Sequence, residues 1–564
     1  MAAPSDLSYL RTPVEAPINY TTVFEIAQEN ALLHPNEEVL VLRDLDGSRS
    51  SLTNVSLYQQ SEQLARYLVK WGVTKGDMVA LVGPQTLEMA VGTLGIMRAG
   101  GIVLNVMVDM SKEDVRAQFQ HVHPKFFLVD FGKNNSFLHA AKSVLEQYKG
   151  LSAESGNSQS VEVMTLSRTD VNDIDIAADL QNIKSSDTAD VDLPQIYPED
   201  KAIIFRTSGS TSNPKLVCHT HFEFTCTGID LMSPLKPFDN VIFNNNNFAF
   251  SIGSIISNVI RKEKRIILTS SDTSTGQIAD FIWNVLKEEQ CRFALLSTFV
   301  IPDLLKLPET VIEGGFRLQC IGLSGQVIDN SYTRVLGRFC DRMKTEYGCT
   351  EALGIAMKYH TGNSDPLRAG DVGKPYPGVE LRVVDAQDNP IKRDLIGNVQ
   401  VRSPRLMKEY VGMPELTKRV FTAEQWYRTG DVGKITPNGN IILLGRERDV
   451  IYRGSQKIYS SVLEAILKEM EAIRNVCVVS VPDLRLKEEV CVCYVPFGEI
   501  TAEDVKGYLN QVYVKENTLG GLNEIPSYIL PFNAFPRLWN GKVDKITIRQ
   551  QVIARLGLSE ERYH

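Results

Sequence analysis

Two hydrophobic periods alternate along the first third of the chain. Leu57, Leu64, Leu68 and Trp71 recur at helical spacing ahead of Gly72, which predicts a helix that stops at that glycine. Lys75-Gly76-Asp77 predicts a turn, and Met78 to Val82 a short apolar strand. A helix over Leu87 to Arg98, a strand over Ile102 to Leu104, a helix over Asp114 to Val122 and a strand over Phe126 to Val129 are expected to follow. Such alternation predicts an α/β fold around a parallel sheet. Gly92 and Gly95 lie inside a helical pattern and read as packing glycines. Residues 150–190 are polar, acidic and weakly periodic, and read as a loose surface insertion. Leu318 to Gln326 predicts a strand that ends in the small-residue turn Ser324-Gly325-Gln326. Near the end, Ser461 to Glu464 has the pattern of a capping box, with Leu463, Ile466, Leu467 and Met470 as the apolar stripe behind it. Strands are expected at Val476–Val481 and Val490–Val495. This closing stretch predicts a small α+β unit of about a hundred residues, divided from the rest near Glu447–Arg448.

Composition narrows the class. The 564 residues carry 43% hydrophobic and 23% charged positions, ordinary for a globular protein with a large core. Lys and Arg number 60 against 68 Asp and Glu, a net charge of −8, which argues against a general nucleic-acid binder. Nine scattered cysteines without a CxxC pair suit a reducing compartment, and Cys491 and Cys493 read as small hydrophobes on one strand face. The first residues have neither a basic start nor an apolar h-region, and no run of ~18 apolar residues occurs. A cytoplasmic protein without a membrane span is the expectation.

Candidate chemistry gathers at Thr207-Ser208-Gly209-Ser210-Thr211-Ser212-Asn213-Pro214-Lys215, directly after the apolar run Ala202 to Phe205. Five hydroxyls, a glycine and a lysine suit a polyphosphate, because N–H and O–H donors wrap its oxygens and the ammonium neutralises charge. A polar surface turn is an equal reading of this stretch alone. It is not the loop GxxxxGK[ST]. His219 and His221, with Cys218, have no second cluster at ligand spacing and make a poor metal site. Asn244 to Gly253 reads equally as a pocket wall or as a solvated turn followed by core.

Further motifs stand in order downstream: Tyr347-Gly348-Cys349-Thr350-Glu351, Tyr427-Arg428-Thr429-Gly430-Asp431, Gly445-Arg446-Glu447-Arg448-Asp449 and Asn540-Gly541-Lys542-Val543-Asp544-Lys545. With the hydroxyl-rich loop, these resemble the adenylate-forming superfamily, which includes acyl-CoA synthetases, 4-coumarate–CoA ligases, luciferases and peptide-synthetase adenylation domains. The resemblance runs from about Tyr20 to about Gln550. It implies a large N-terminal domain of layered α/β subdomains over residues 1–447, and a small mobile α+β domain over 448–564 that carries the catalytic lysine. It also implies roles. Thr207, Ser208, Gly209, Ser210, Thr211 and Lys215 would hold the β- and γ-phosphates of ATP. Tyr347 would lie on the adenine, Thr350 at the α-phosphate, and Glu351 on Mg²⁺. Asp431 would accept the ribose hydroxyls, supported by Arg446, and Lys542 would meet the charge that develops during adenylation. Phe250, Ser251, Ser324, Gly325, Gln326, Gly348 and Cys349 would shape the carboxylate pocket. Arg448 would be the hinge, and Gly454 and Ser455 would enter the coenzyme A channel.

The implied activity is an ATP-dependent acid–thiol ligase of the acyl-CoA synthetase type, with fatty acids among its possible substrates. One alternative keeps adenylation and passes the acyl group to a carrier thiol, an amine or an oxygen. The other is a non-catalytic nucleotide- or acyl-binding relative. Departures from the family pattern bear on this choice. Ser212 and Leu216 stand where glycine is usual in the loop, and Phe250 where acyl-CoA synthetases often carry histidine. Ser455 and Tyr452 replace glycine and lysine beside the channel.

Overall fold

A computed structural model describes the chain except residues 1–5, 15–17, 109, 133–134, 155–160, 168–177, 180–187, 189, 208–213, 227–235, 270–277, 299, 313–314, 326–329, 363–367, 517–524, 539–541 and 560–564. Among the described residues the strands form three sheets, of eight, fourteen and five strands. The eight-stranded sheet holds Met78–Val82 between Ile102–Val106 and Phe126–Val129, all parallel. The helix Asn54–Trp71 ends where Gly72 turns left-handed at φ 106°, and the helix Leu87–Arg98 packs on it. The packing glycines are real constraints. A Cβ on Gly95 would stand 2.7 Å from Leu64, and one on Gly92 2.9 Å from Leu81.

This sheet extends on both sides. Lys201–Arg206 lies parallel to Ile102–Val106, and Leu216–Thr220 returns antiparallel after the hydroxyl-rich loop. On the far side Glu162–Thr165 adds a parallel strand, followed by Ala178–Asp179. These two strands correct the expectation of a loose insertion over 150–190. Val163, Met164 and Thr165 are buried, but a four-residue strand is too short for its period to stand out.

The fourteen-stranded sheet is parallel from Glu38–Arg43 through Lys264–Leu268, Val241–Asn244, Phe293–Leu295, Leu318–Ser324 and Cys340–Cys349. It then turns antiparallel through Leu353–His360 and Asp371–Pro375 to the pair Ile441–Arg446 and Tyr427–Ile435. The five-stranded sheet follows, with Val450–Arg453, Gln456–Tyr459, Ile473–Asp483, Lys487–Pro496 and Tyr528–Pro531. The helices Ser460–Leu467 and Lys545–Leu556 pack on it. Cys477, Cys491 and Cys493 pack with Phe532 and Val552, as small hydrophobes would. All nine cysteines are free. Among the described residues no helix is long and apolar enough to cross a membrane.

The expected capping box does not form. The helix Ser460–Leu467 starts from Tyr459 without a side-chain cap. Ser461 Oγ instead donates to the Leu444 carbonyl at 2.6 Å, and Glu464 accepts from Val478 N and pairs with Lys545 Nζ at 2.8 Å. Tertiary partners outbid the local cap for both side chains.

His221 opens a short helix with its ring buried, and its Nδ1 accepts from Val23 N. Burial pushes the imidazole pKa down to about 4 from the ordinary 6.5. A depressed folded-state pKa favours the neutral ring. Its stabilisation is therefore complete above pH 6.5 and is lost as pH falls toward 4. Thermal unfolding is expected to show His221 costing about 2 kcal/mol of stability between pH 7 and 5. His221→Gln should flatten that slope. An unchanged slope in the variant would assign it to other groups.

Candidate active site

One cavity of about 2180 Å³ runs along the C-terminal ends of the parallel strands and out between the fourteen- and five-stranded sheets. Thr207 and Lys215, the two ends of the hydroxyl-rich loop, line it. So do Phe250, Ser251, Ser324, Gly325, the whole run Tyr347 to Glu351, Arg446, Arg448 and Lys542. Residues more than three hundred positions apart thus share one space. Ser208, Gly209, Ser210, Thr211, Ser212 and Gln326 lie outside the described residues. Gly454 and Ser455 do not line the cavity. They form the tip of the hairpin between Val450–Arg453 and Gln456–Tyr459, where Gly454 takes φ 62°.

The strand register sets the first charged group. Tyr427–Ile435 pairs with Ile441–Arg446 so that Asp431 stands opposite Arg446. Asp431 Oδ1 lies 3.1 Å from Arg446 Nε, and Oδ2 accepts from the Tyr347 hydroxyl at 2.6 Å. Arg446 Nη1 also donates to the Thr429 carbonyl at 2.9 Å. Burial raises the Asp431 carboxyl above its usual range, while Arg446 and the Tyr347 hydroxyl pull it back. Burial likewise works against the Arg446 charge, but Asp431 and its neighbours outweigh it and hold the guanidinium pKa high. Asp431 is a strand residue, and its two partners fix both of its oxygens.

Lys542 comes to the same place from the end of the chain. Its Cε sits 4.0 Å from where a Cβ on Gly325 would stand, and Gly325 has φ 86°. The positive φ favours glycine at that turn, and the lysine stem lies at ordinary contact distance from it. Lys542 is exposed to solvent, yet the cleft walls lower its ammonium pKa. Arg446 adds to that shift and Asp431 opposes it. Lys542, Arg446 and Asp431 therefore share one electrostatic field.

Glu351 is buried, with Oε1 accepting from the Tyr410 hydroxyl at 2.7 Å. Lys215 Nζ stands 4.9 Å over the Tyr410 ring, so that ring joins the loop lysine to the carboxylate. The Thr350 carbonyl meets His219 Nε2 at 2.7 Å, and His219 Nδ1 meets Glu223 at 2.9 Å. His219 and Tyr410 were not legible as site residues. His219 and Glu223 do stand four apart, the spacing of one helical face, but nothing in the sequence points at Thr350. Leu216, where the family favours glycine, is buried in the core of the eight-stranded sheet, so its side chain packs away from the loop.

Asn244 to Gly253 proves to be both wall and core. Phe248 is buried, while Phe250 and Ser251 face the cavity. A Cβ on Gly253 would stand 2.0 Å from the Asn247 carbonyl oxygen, so glycine is obligatory there. The fold of this stretch is held by a buried arginine. Arg265 donates to the carbonyls of Asn244 (2.8 Å), Asn246 (2.7 Å) and Gly253 (2.5 Å). Burial lowers its pKa to about 9.

Known proteins resemble this chain in sequence and in fold. The AMP-binding enzyme family matches residues 27–411. Triostin synthetase I of Streptomyces triostinicus is 25% identical over 528 residues, which cover 90% of this chain and 91% of that one. The medium-chain fatty-acid–CoA ligase of Escherichia coli (strain K12) is 24% identical, with 94% and 90% covered. Among solved structures, ATP-bound MatB from Rhodopseudomonas palustris superposes with a TM-score of 0.75 at 22% identity, covering 94% of this chain and 99% of that one. The amide bond synthetase McbA from Marinactinospora thermotolerans superposes at 0.76 and 21% identity, with the same coverage. The chain belongs to the AMP-binding enzyme family and has the fold of the adenylate-forming superfamily.

Proposed function

We propose that this chain is an ATP-dependent acid–thiol ligase that makes an acyl-adenylate and passes the acyl group to coenzyme A. The observation that carries the reading is the position of Lys542, in one cavity with Gly325, Arg446, Thr350 and the end of the hydroxyl-rich loop at Lys215. In the first half-reaction a carboxylate oxygen attacks the α-phosphorus of ATP. The bond from that phosphorus to the bridging oxygen breaks, and pyrophosphate leaves. Charge moves among oxygens and no carbon–hydrogen bond is touched, so fixed cations and donors do the work. Lys542 meets the charge between carboxylate and α-phosphate. Lys215 and the loop after Thr207 hold the β- and γ-phosphates, and Thr350 stands at the α-phosphate. Tyr347 lies on the adenine, and Asp431, oriented by Arg446, accepts the ribose hydroxyls. Glu351 offers a hard oxygen donor in the cavity that suits Mg²⁺, which when bound screens the phosphate oxygens.

In the second half-reaction the thiol sulfur attacks the acyl carbon, AMP leaves with its phosphate oxygen, and the thiol proton passes to solvent. Residues 448–564 act as a mobile domain that pivots at Arg448. Lys542 withdraws and the hairpin at Gly454 and Ser455 enters, which is a gating motion. The cytoplasm, where coenzyme A and ATP are at hand, is the proposed compartment.

A second reading keeps adenylation and changes the acceptor. Ser455 and the exposed Tyr452 at the hairpin favour it, because they stand where glycine and lysine usually serve coenzyme A.

Two measurements test these steps. ATP–pyrophosphate exchange is expected with a carboxylic acid, and Lys542→Ala should lower its rate by about 100- to 1000-fold, the scale of one lost charge-stabilising group. Unchanged exchange would remove Lys542 from the mechanism. Arg448→Pro should slow thioester formation far more than adenylate formation. Equal slowing of both would remove the pivot.

A further inference from the structure

Thr350 and Glu351 sit on a turn that is braced from outside. With Ala352 they connect the antiparallel strands Cys340–Cys349 and Leu353–His360, and inside the turn Ala352 N donates to the Cys349 carbonyl at 3.2 Å. Leu353 takes φ 55°, a left-handed conformation that a leucine seldom adopts. A Cβ on Gly348 would stand 2.2 Å from the Leu353 carbonyl oxygen. A backbone of this kind persists where its surroundings over-determine it.

Three contacts from other parts of the chain reach the turn. Met407 N donates to the Glu351 carbonyl at 2.7 Å, and the Tyr410 hydroxyl donates to Glu351 Oε1 at 2.7 Å. The third is the His219 ring, whose Nε2 donates to the Thr350 carbonyl at 2.7 Å. The Thr350–Glu351 peptide is planar, so a bond to its oxygen restrains ψ of Thr350 and φ of Glu351 together. Those two torsions lie between the Thr350 hydroxyl and the Glu351 carboxylate. Met407 acts on the next peptide and Tyr410 on the side chain, whereas His219 acts on the peptide between the two residues.

The ring is set for that bond. A carbonyl oxygen only accepts, so Nε2 carries a proton. Nδ1 meets Glu223 Oε2 at 2.9 Å, and the same oxygen accepts from Thr220 N at 3.0 Å. One proton lies between Nδ1 and Oε2, and Nε2 remains the donor whichever of those atoms holds it. The rings of Phe205 and Phe224 stand 6.3 and 5.5 Å away, and the imidazole is fully buried. His219 does not line the cavity. Packing alone requires neither the carboxylate on one edge of the ring nor the carbonyl on the other.

We propose that His219 is a positioning residue for adenylation. It holds the Thr350–Glu351 peptide so that the Thr350 hydroxyl addresses the α-phosphate and the Glu351 carboxylate addresses Mg²⁺, and Glu223 sets the ring. The inference rests on the adenylation reading above. His219 touches neither nucleotide nor acid, so its loss acts on kcat and on the Mg²⁺ requirement and leaves the KM for the acid alone.

The test is ATP–pyrophosphate exchange on the wild-type chain, His219→Asn, His219→Gln and Glu223→Gln, with the melting temperature of each. A glutamine amide reaches the position of Nε2 and keeps a donor for the Thr350 carbonyl. An asparagine amide reaches only the position of Nδ1 and leaves that carbonyl without it. His219→Asn should lower kcat by about 10- to 100-fold, the scale of a lost outer partner at a metal site, and raise the Mg²⁺ concentration for half-maximal rate. His219→Gln should recover most of the loss. Glu223→Gln keeps the shape and weakens the hold on the ring, and should lower kcat by about 3- to 10-fold. It decides the matter should His219→Asn not fold. Equal kcat in the two His219 variants overturns the proposal, as does wild-type kcat in Glu223→Gln. A lower melting temperature at unchanged kcat assigns His219 to stability alone and overturns it too. A wild-type chain that shows no exchange with any carboxylic acid overturns the adenylation reading and this inference with it.

Discussion

Burial works against the charge on the Asp431 carboxylate, and Arg446 and the Tyr347 hydroxyl work for it. That arrangement ties the strand of Tyr347 to a hairpin much later in the chain, whose two strands carry Asp431 and Arg446. Asp431 is buried while Arg446 reaches solvent, so removing Arg446 would leave the carboxylate uncompensated. The pair also sets the field into which Lys542 must enter. A lysine placed beside Arg446 alone would be repelled, and Asp431 supplies the opposing sign. The geometry of the cleft follows from satisfying these charges together.

Much of the fold was legible because its signals are local. Met78–Val82 and Leu87–Arg98 have the expected bounds, since a turn or glycine ends each hydrophobic run cleanly. The motif residues were legible as a set, and most of the described ones line one cavity, while Asp431, Gly454 and Ser455 do not. Side chains whose partners come from elsewhere in the chain were not. Ser461 and Glu464 have the spacing of a local cap, yet both are claimed by distant groups. Arg265 belongs to no motif, and it holds up the Asn244–Gly253 wall from inside. Lys344 and Glu346 belong to no motif, yet Cys340–Cys349 is central in its sheet and the face they share meets the cavity.

Polar groups sunk in this protein serve shape as much as chemistry. Among the described residues Arg265 has no acidic partner at hydrogen-bonding distance, and it donates to the backbone carbonyls of Asn244, Asn246 and Gly253. The arrangement lets an asparagine-rich turn run through the interior, where a carbonyl without a donor would be costly. Gly253 completes it, because the turn comes too close to the Asn247 carbonyl for any side chain.

The contact of His219 with the Thr350 carbonyl has a mechanical meaning. The strand Leu216–Thr220 leaves Lys215 directly, and it carries His219 three residues after its start. One short strand thus ties the end of the hydroxyl-rich segment at Lys215 to the peptide group next to Glu351.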